Sequence, residues 1–265
     1  MSVQERNNVV VLGPVDRPTV LLAHGFGCDQ NMWRLVTPVL AQHFRVVLFD
    51  HVGFGRSDAG AWSAQRYEDL DAYADDLVEI CAELDLRDVV LVGHSVAAMI
   101  AVLAVNRAPR WFAKLVLLTP SPRYIDDGDY HGGFSRADID ELLDALEANY
   151  LGWSAATAPM IMGNPDRPEL GAELTESFCR TDPAIARAFA RATFLSDNRD
   201  DLSQVTVPTL VIRTAQDAIA PREVGRFVHE RIRGSRLVTL DATGHCPQLS
   251  DPGPTAAAIE AFAGE

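Results

Sequence analysis

Residues 89–97, Val89-Val90-Leu91-Val92-Gly93-His94-Ser95-Val96-Ala97, constrain the chain more than any other stretch. The Val-rich run predicts a buried strand, and the apolar run Val96–Val105 predicts a helix packed behind it, with a tight turn between them. Ser95 stands on that turn. A serine held at such an apex projects its hydroxyl into a cleft, and the N-terminus of the following helix favours developing negative charge. Strand and helix nearly touch there, so small residues are required. Gly93 meets that need, and Ala97 stands where a second glycine is usual. A loose G-x-S-x-[GA] match by itself is more often an ordinary turn serine, so the rest of the chain has to decide.

The rest of the chain supplies the context. Short Val, Leu and Ile runs recur at Val9–Leu12, Thr19–Ala23, Val46–Phe49, Val89–Val92, Leu115–Leu118, Leu210–Ile212 and Leu237–Leu240. They read as strands buried on both faces. Between them lie helical patterns, clearest over Tyr67–Leu84, where Leu70, Tyr73, Ala74, Leu77, Ile80, Cys81 and Leu84 form one apolar stripe. Strands alternating with helices predict a mostly parallel, doubly wound sheet. The alternation stops between Ser121 and Asp201. Candidate helices there are Arg136–Tyr150, Ala155–Met162, Glu169–Cys179 and Pro183–Leu195, the last started by Asp182 before Pro183. This insertion, residues 121–201, reads as a helical lid on one domain, 1–265, whose core is 1–120 and 202–265.

Composition narrows the function. At 265 residues and 48% hydrophobic, the chain can bury one substantial core. A net charge of −14 argues against nucleic acid and anionic membranes as partners. Cys28, Cys81, Cys179 and Cys246 are scattered, without the paired spacing of a metal site or a disulfide framework, which suits a reducing cytoplasm. Met1–Asn8 lacks the pattern of a secretory signal. Val96–Val105 is too short to span a bilayer.

A serine hydroxyl is a poor nucleophile near neutral pH, so Ser95 needs a base and an acid that orients the base. Asp217 lies in the loop after the strand ending at Ile212. His245 follows the last strand, beside Gly244. The order Ser95, Asp217, His245, each at the C-terminal end of a strand, is that of an α/β-hydrolase fold. Each residue has a plainer alternative: a turn aspartate for Asp217, a satisfied imidazole for His245. Asp241 is the competing carboxylate, read as a turn former. His94 is read as structural, with its side chain turned away from Ser95. After the strand Thr19–Ala23 comes His24-Gly25-Phe26-Gly27, where a second oxyanion donor belongs, so the backbone N–H groups of Phe26 and Val96 are the expected pair. The glycine-rich Asp50–Asp58 loop lacks the lysine of a phosphate-binding loop and reads as structural turns.

Gly93–Met99, His24–Trp33, Asp50–Asp58 and Gly244–Ser250 together resemble the RsbQ-type α/β hydrolases, a group similar to the plant strigolactone and karrikin receptors. Tyr130-His131-Gly132-Gly133-Phe134 and Asn164-Pro165-Asp166-Arg167-Pro168-Glu169 carry the likeness into the lid. The resemblance implies Ser95 as nucleophile, Asp217 as acid and His245 as base, under a four-helix lid over an apolar cavity. It implies Phe26, Phe134, Trp153, Phe178, Phe194 and Ala218 as cavity-lining residues. It also implies a role in stress signalling, through activation of a PAS-domain phosphatase that releases an alternative sigma factor. Ala97 and Gln248 depart from the family pattern. Two functions follow: a serine hydrolase for a small, largely apolar ester or lactone, or a ligand-sensing module with slow or vestigial hydrolysis. Neither calls for a metal or an organic cofactor.

Overall fold

The computed structural model describes residues 1–265. Seven strands form one sheet: β1 (Val10–Leu12), β2 (Thr19–Ala23), β3 (Arg45–Leu48), β4 (Val89–His94), β5 (Phe112–Leu118), β6 (Thr209–Gln216) and β7 (Arg236–Thr243). Their order is β1-β3-β2-β4-β5-β6-β7. β1 runs antiparallel to β3, and every other pairing is parallel. Parallel neighbours need crossovers, and helices supply them. In chain order the helices are α1 (Val3–Arg6), α2 (Thr37–Leu40), α3 (Asp71–Glu83), α4 (Val96–Arg107), α5 (Arg136–Ala148), α6 (Tyr150–Met162), α7 (Pro168–Cys179), α8 (Pro183–Phe194), α9 (Arg222–Arg231), α10 (Pro247–Ser250) and α11 (Pro252–Gly264). None is long and apolar enough to cross a membrane.

The period of two along each central strand sorts its side chains into two cores. Val20 and Leu22 face one layer, with Leu40 of α2 and Ile259 of α11, and Leu21 and Ala23 face the other, with α3 and α4. Both faces are therefore dry, which is why these strands read as unbroken apolar runs. α4 is apolar around nearly its whole circumference and is buried accordingly. The stripe on α3 is buried from Leu70 to Cys81, with Leu84 half-buried. The helix itself begins only at Asp71, because Tyr67 and Leu70 lie in the turn before it.

Two strand assignments need correction. Val10, Val11 and Leu12 are 37%, 36% and 41% exposed, so β1 is an open edge rather than a strand buried on both faces. β7 closes the other edge, with residues 236, 239 and 241 exposed. An apolar run marks a strand but carries no information on whether helices cover it.

Between β5 and β6 lie α5, α6, α7 and α8, close to the four segments expected there. The largest difference is at α6, which starts at Tyr150 instead of Ala155. Asn149 caps it by accepting from the Gly152 N–H at 3.0 Å. Asp182 caps α8 through the N–H groups of Ala184 and Ile185. Most buried side chains from these helices join the same core layer as Val20 and Leu22, Ile185 and Phe189 of α8 join the other, and Trp153, Leu174, Phe178 and Phe194 reach the space beside Ser95.

Candidate active site

Ser95 sits between the last residue of β4 and the first of α4 with φ 59° and ψ −126°, a backbone conformation that side-chain-bearing residues rarely adopt. Its N–H donates to the Leu118 carbonyl at 2.9 Å, which ties the turn to β5. Gly93 makes the turn possible, since a Cβ there would lie 2.3 Å from the Ala97 carbonyl oxygen. Ala97 itself is fully buried in the first turn of α4, so the fold holds a methyl group where a second glycine is usual.

His245 reaches the serine. Its Nε2 lies 2.7 Å from Ser95 Oγ, and its Nδ1 lies 2.8 Å from Asp217 Oδ2. Asp217 Oδ1 accepts from the N–H groups of Ile219 at 2.8 Å and Ala220 at 3.0 Å. Burial pushes the Asp217 carboxyl up, but the His245 imidazole and those donors together hold it below the usual carboxylate range. An ionised Asp217 only accepts, so His245 Nδ1 carries the hydrogen and Nε2 is left to accept the Ser95 hydroxyl proton. Asp241 is exposed on β7 and has no part in this chain of contacts.

The backbone of His245 is pinned as firmly as its ring. Gly244 has φ 96°, and a Cβ there would lie 1.8 Å from the Met162 carbonyl oxygen, so only glycine lets the end of α6 come this close. The His245 N–H donates to the Ile161 carbonyl at 3.0 Å. Its own carbonyl accepts from His94 Nε2 at 2.8 Å and from Thr119 Oγ1 at 3.1 Å. His94 is structural, as expected, but it does not turn away from the site. Its ring lies 5.3 Å from that of His245 and forms part of the cavity wall. Burial and the neighbouring His245 push its pKa down to about 3, so it stays neutral and keeps donating.

Phe26 and Val96 have backbone N–H groups that donate to no oxygen of the protein. The Phe26 loop is braced from below. His24 Nε2 accepts from the His51 N–H at 3.0 Å, leaving Nδ1 to donate to the Gly25 carbonyl at 3.0 Å. Asp50 ties the same loop to the glycine-rich one by accepting from the N–H groups of Gln30 and Arg56, both at 2.8 Å. Asp50–Asp58 is thus a structural brace. From above, Ser177 Oγ of α7 donates to the Gly27 carbonyl at 2.9 Å.

Over Ser95 lies a cavity of about 30 Å³ of free space. Of the residues expected to line it, Phe26, Trp153, Phe178 and Phe194 lie on its wall, with the Phe26 ring 5.5 Å from that of Phe178 and 6.0 Å from that of Trp153. Two expected lining residues do not. Phe134 is half-buried against the core beside the lone bridge to Ile125. Ala218 is exposed, because the Asp217 turn directs the next residue, Ile219, into the cavity instead. Tyr124, Cys28, Cys246, Ile161, Leu174 and Thr193, not expected from the sequence, are also on the wall. Tyr124 sets its phenol beside the Ser95 hydroxyl, and burial raises its pKa far enough to keep it protonated. Its place shortly after the end of β5 was the available signal, since residues at strand C-termini gather in this crevice. No Asp, Glu, Lys or Arg lines the cavity.

The arrangement presents a hydroxyl, a base with one free nitrogen, an ionised acid and two unpaired N–H groups around a small apolar space. Known proteins with the same build can be compared directly. The strigolactone esterase of Arabidopsis thaliana is 41% identical over 252 residues, covering 95% of this chain and 94% of that protein. A karrikin insensitive 2 receptor of Petunia hybrida is 38% identical over 251 residues, covering 94% of this chain and 93% of that protein. A solved hydrolase from Oleispira antarctica superposes with a TM-score of 0.97 at 42% identity, over 99% of this chain and 96% of that one. The sequence pattern of the alpha/beta hydrolase family matches residues 20–258. The sheet order, the serine turn and these likenesses agree, and the chain belongs to the alpha/beta hydrolase family.

Proposed function

We propose that the protein is a serine hydrolase that cleaves small, uncharged, largely apolar esters or lactones. The observation that carries this reading is the contact chain from Asp217 through His245 to Ser95, at 2.8 and 2.7 Å, beneath a cavity free of charged side chains. Ser95 Oγ attacks the carbonyl carbon while His245 Nε2 takes its proton. The carbonyl oxygen becomes an oxyanion and receives the N–H groups of Phe26 and Val96, donors each worth about 2.7–4 kcal/mol in such sites. The C–O bond then breaks, and His245 returns the proton to the leaving alkoxide, which stays tethered when the substrate is a lactone. Water, deprotonated by His245, attacks the acyl-serine and restores Ser95. Asp217 keeps the imidazole in the required tautomer throughout. Residues 121–201 act as the lid of a single catalytic domain built from 1–120 and 202–265, and the four cysteines, all free, fit a reducing cytoplasm.

Specificity follows from the walls. Burying a carboxylate without a cationic partner is costly, so anionic substrates are excluded. The free volume favours an acetyl group over long acyl chains. Ser95→Ala should abolish hydrolysis of p-nitrophenyl acetate and leave the melting temperature within a few degrees. Full activity in a folded variant would refute the nucleophile.

A second reading is favoured by one comparison, the relative named a receptor at 38% identity. In it the same pocket serves ligand sensing with slow hydrolysis, and the RsbQ-like motifs point to a PAS-domain phosphatase as partner. Intact-protein mass after exposure to a small lactone separates the two: a long-lived adduct on Ser95 favours sensing, and rapid return to the unmodified mass favours turnover.

A further inference from the structure

The net charge of −14 is unevenly spread. Residues 213–236 hold six arginines, Arg213, Arg222, Arg226, Arg231, Arg233 and Arg236, against two exposed carboxylates, Glu223 and Glu230. The carboxylate of Asp217 is turned inward onto His245. Elsewhere most arginines, ten of sixteen, reach a carboxylate, among them Arg6 with Glu79 and Asp76, Arg34 with Glu173, Arg123 with Asp197 and Arg199 with Asp127. In this segment a single arginine, Arg236, reaches a carboxylate, that of Glu265 at 2.7 Å.

Three of the others converge. Arg213 leaves β6 and lies across α9 at Gly225, where a Cβ would come within 3.0 Å of Arg213 Cδ. Its Nε donates to Thr239 Oγ1 at 2.9 Å and its Nη1 to the Arg222 carbonyl. Arg222 and Arg226 are four apart on α9, hence neighbours on one helix face, and both are exposed. Burial lowers the Arg213 pKa first, and the charges of Arg222 and Arg226 lower it further, with Glu223 the one acid opposing them. Folding gains nothing from gathering like charges, whereas an anion brought to them relieves the repulsion. Beside them a surface crevice is lined by Met160, Ala218, Pro221 and Arg222, a seat for an apolar side chain.

We propose that the α9 face bearing Arg213, Arg222 and Arg226 docks an acidic segment of a partner protein, with its carboxylates on the guanidinium groups and a neighbouring apolar side chain in the Met160–Pro221 crevice. The guanidinium fork matches a carboxylate through two parallel hydrogen bonds. The helix has 10 residues and is therefore about 15 Å long. That is enough for a few carboxylates. A nucleic acid or an anionic membrane would extend past it onto a surface whose charge repels both. The crevice also borders Asp217 and Gly244, but the Asp217 carboxylate is turned inward onto His245. The contacts proposed are those of Arg213, Arg222, Arg226, Met160 and Pro221, none of them assigned to hydrolysis, so their test stands apart from that of Ser95.

The experiment is fluorescence anisotropy with a labelled peptide of Asp and Glu residues around a single Leu, with melting curves confirming that each variant is folded. Expected are binding at about 50 mM NaCl, weakening about ten-fold or more by about 200 mM as exposed charges are screened, and a comparable loss in R222Q/R226Q. R17Q/R191Q, exposed arginines elsewhere, should bind as the parent does. Equal affinity in R222Q/R226Q and the parent, or no binding at low salt, would overturn the proposal. So would tighter binding of a single-stranded oligonucleotide of matched charge, or full displacement of the peptide by inorganic phosphate at the same charge concentration, which would mark a simple small-anion site.

Discussion

The backbone at Ser95 holds a conformation that costs about 1–3 kcal/mol for a residue with a side chain. The β5 hydrogen bond, the close contact at Gly93 and the helix behind it hold it there, so the strain belongs to the scaffold and persists when the side chain changes. That is why Ser95→Ala is expected to fold. Asp217 is different, since its contribution passes through another residue. Asp217→Asn keeps the shape of the side chain but presents an amide where His245 Nδ1 needs an acceptor, which favours the wrong tautomer. A loss of about 10⁴-fold in kcat is expected. Asp241→Asn, exposed on β7, should stay within about two-fold, surface changes of this kind being worth at most about 0.5 kcal/mol. If Asp241→Asn is the more damaging, the acid has been misassigned. The residues that make contact here were legible in the sequence because each is fixed by a short local pattern at a strand end: glycine and serine after β4, a turn aspartate after β6, glycine and histidine after β7. Tyr124 was legible only in its place after β5, which indicates the crevice but not the residue, because that segment has no period to read and the phenol reaches Ser95 through tertiary packing.

Elements were legible where burial is symmetric. β2 through β6 read as strands because both faces are dry, and α4 reads as buried because it has no polar side. β1 misled because three apolar residues look the same at an edge as in the middle. The insertion misled at single residues: its helices were readable from their caps and stripes, but which aromatic ring turns to the cavity depends on how the four helices pack. Phe134 and Phe194 separate these cases. Phe194→Leu enlarges the cavity without emptying it, and the kcat/KM ratio of hexanoyl to acetyl p-nitrophenyl esters should rise about ten-fold, the scale on which a pocket reads one methylene or more. Phe134→Leu should leave the ratio unchanged, since that ring packs against the core outside the cavity. A Phe134→Leu effect as large as that of Phe194→Leu would place Phe134 on the wall after all.

Over the whole molecule, three imidazoles besides that of His245 are removed from water: His24 and His51 at 0% exposure and His94 at 2%. Burial pushes each pKa down, that of His94 to about 3 from an ordinary 6.5. Between those two values the unfolded chain binds a proton that the folded chain refuses. Stability therefore rises with pH across this window and is lost as pH falls through it, by about 1.4 kcal/mol per pH unit for one fully depressed histidine. Asp217, with its pKa held down, adds a loss of the same sign once pH falls below about 3.8. Asp76 works the other way. Its burial outweighs Arg6, Tyr67 and Arg66 and raises its pKa, so its carboxylate favours unfolding just above 3.8. The net charge of −14 also opposes the histidines, because acid relieves self-repulsion. The wild-type slope is thus a sum of opposed parts, and a difference isolates one of them. His94→Gln keeps a donor for the His245 carbonyl and cannot titrate. Between pH 6.5 and pH 4.5 its unfolding free energy, from urea titrations, should fall less steeply than that of the parent by about 1.4 kcal/mol per pH unit. Parallel curves for the two proteins would mean that His94 takes up its proton in the folded state, and that the donor holding His245 in place is not a neutral imidazole.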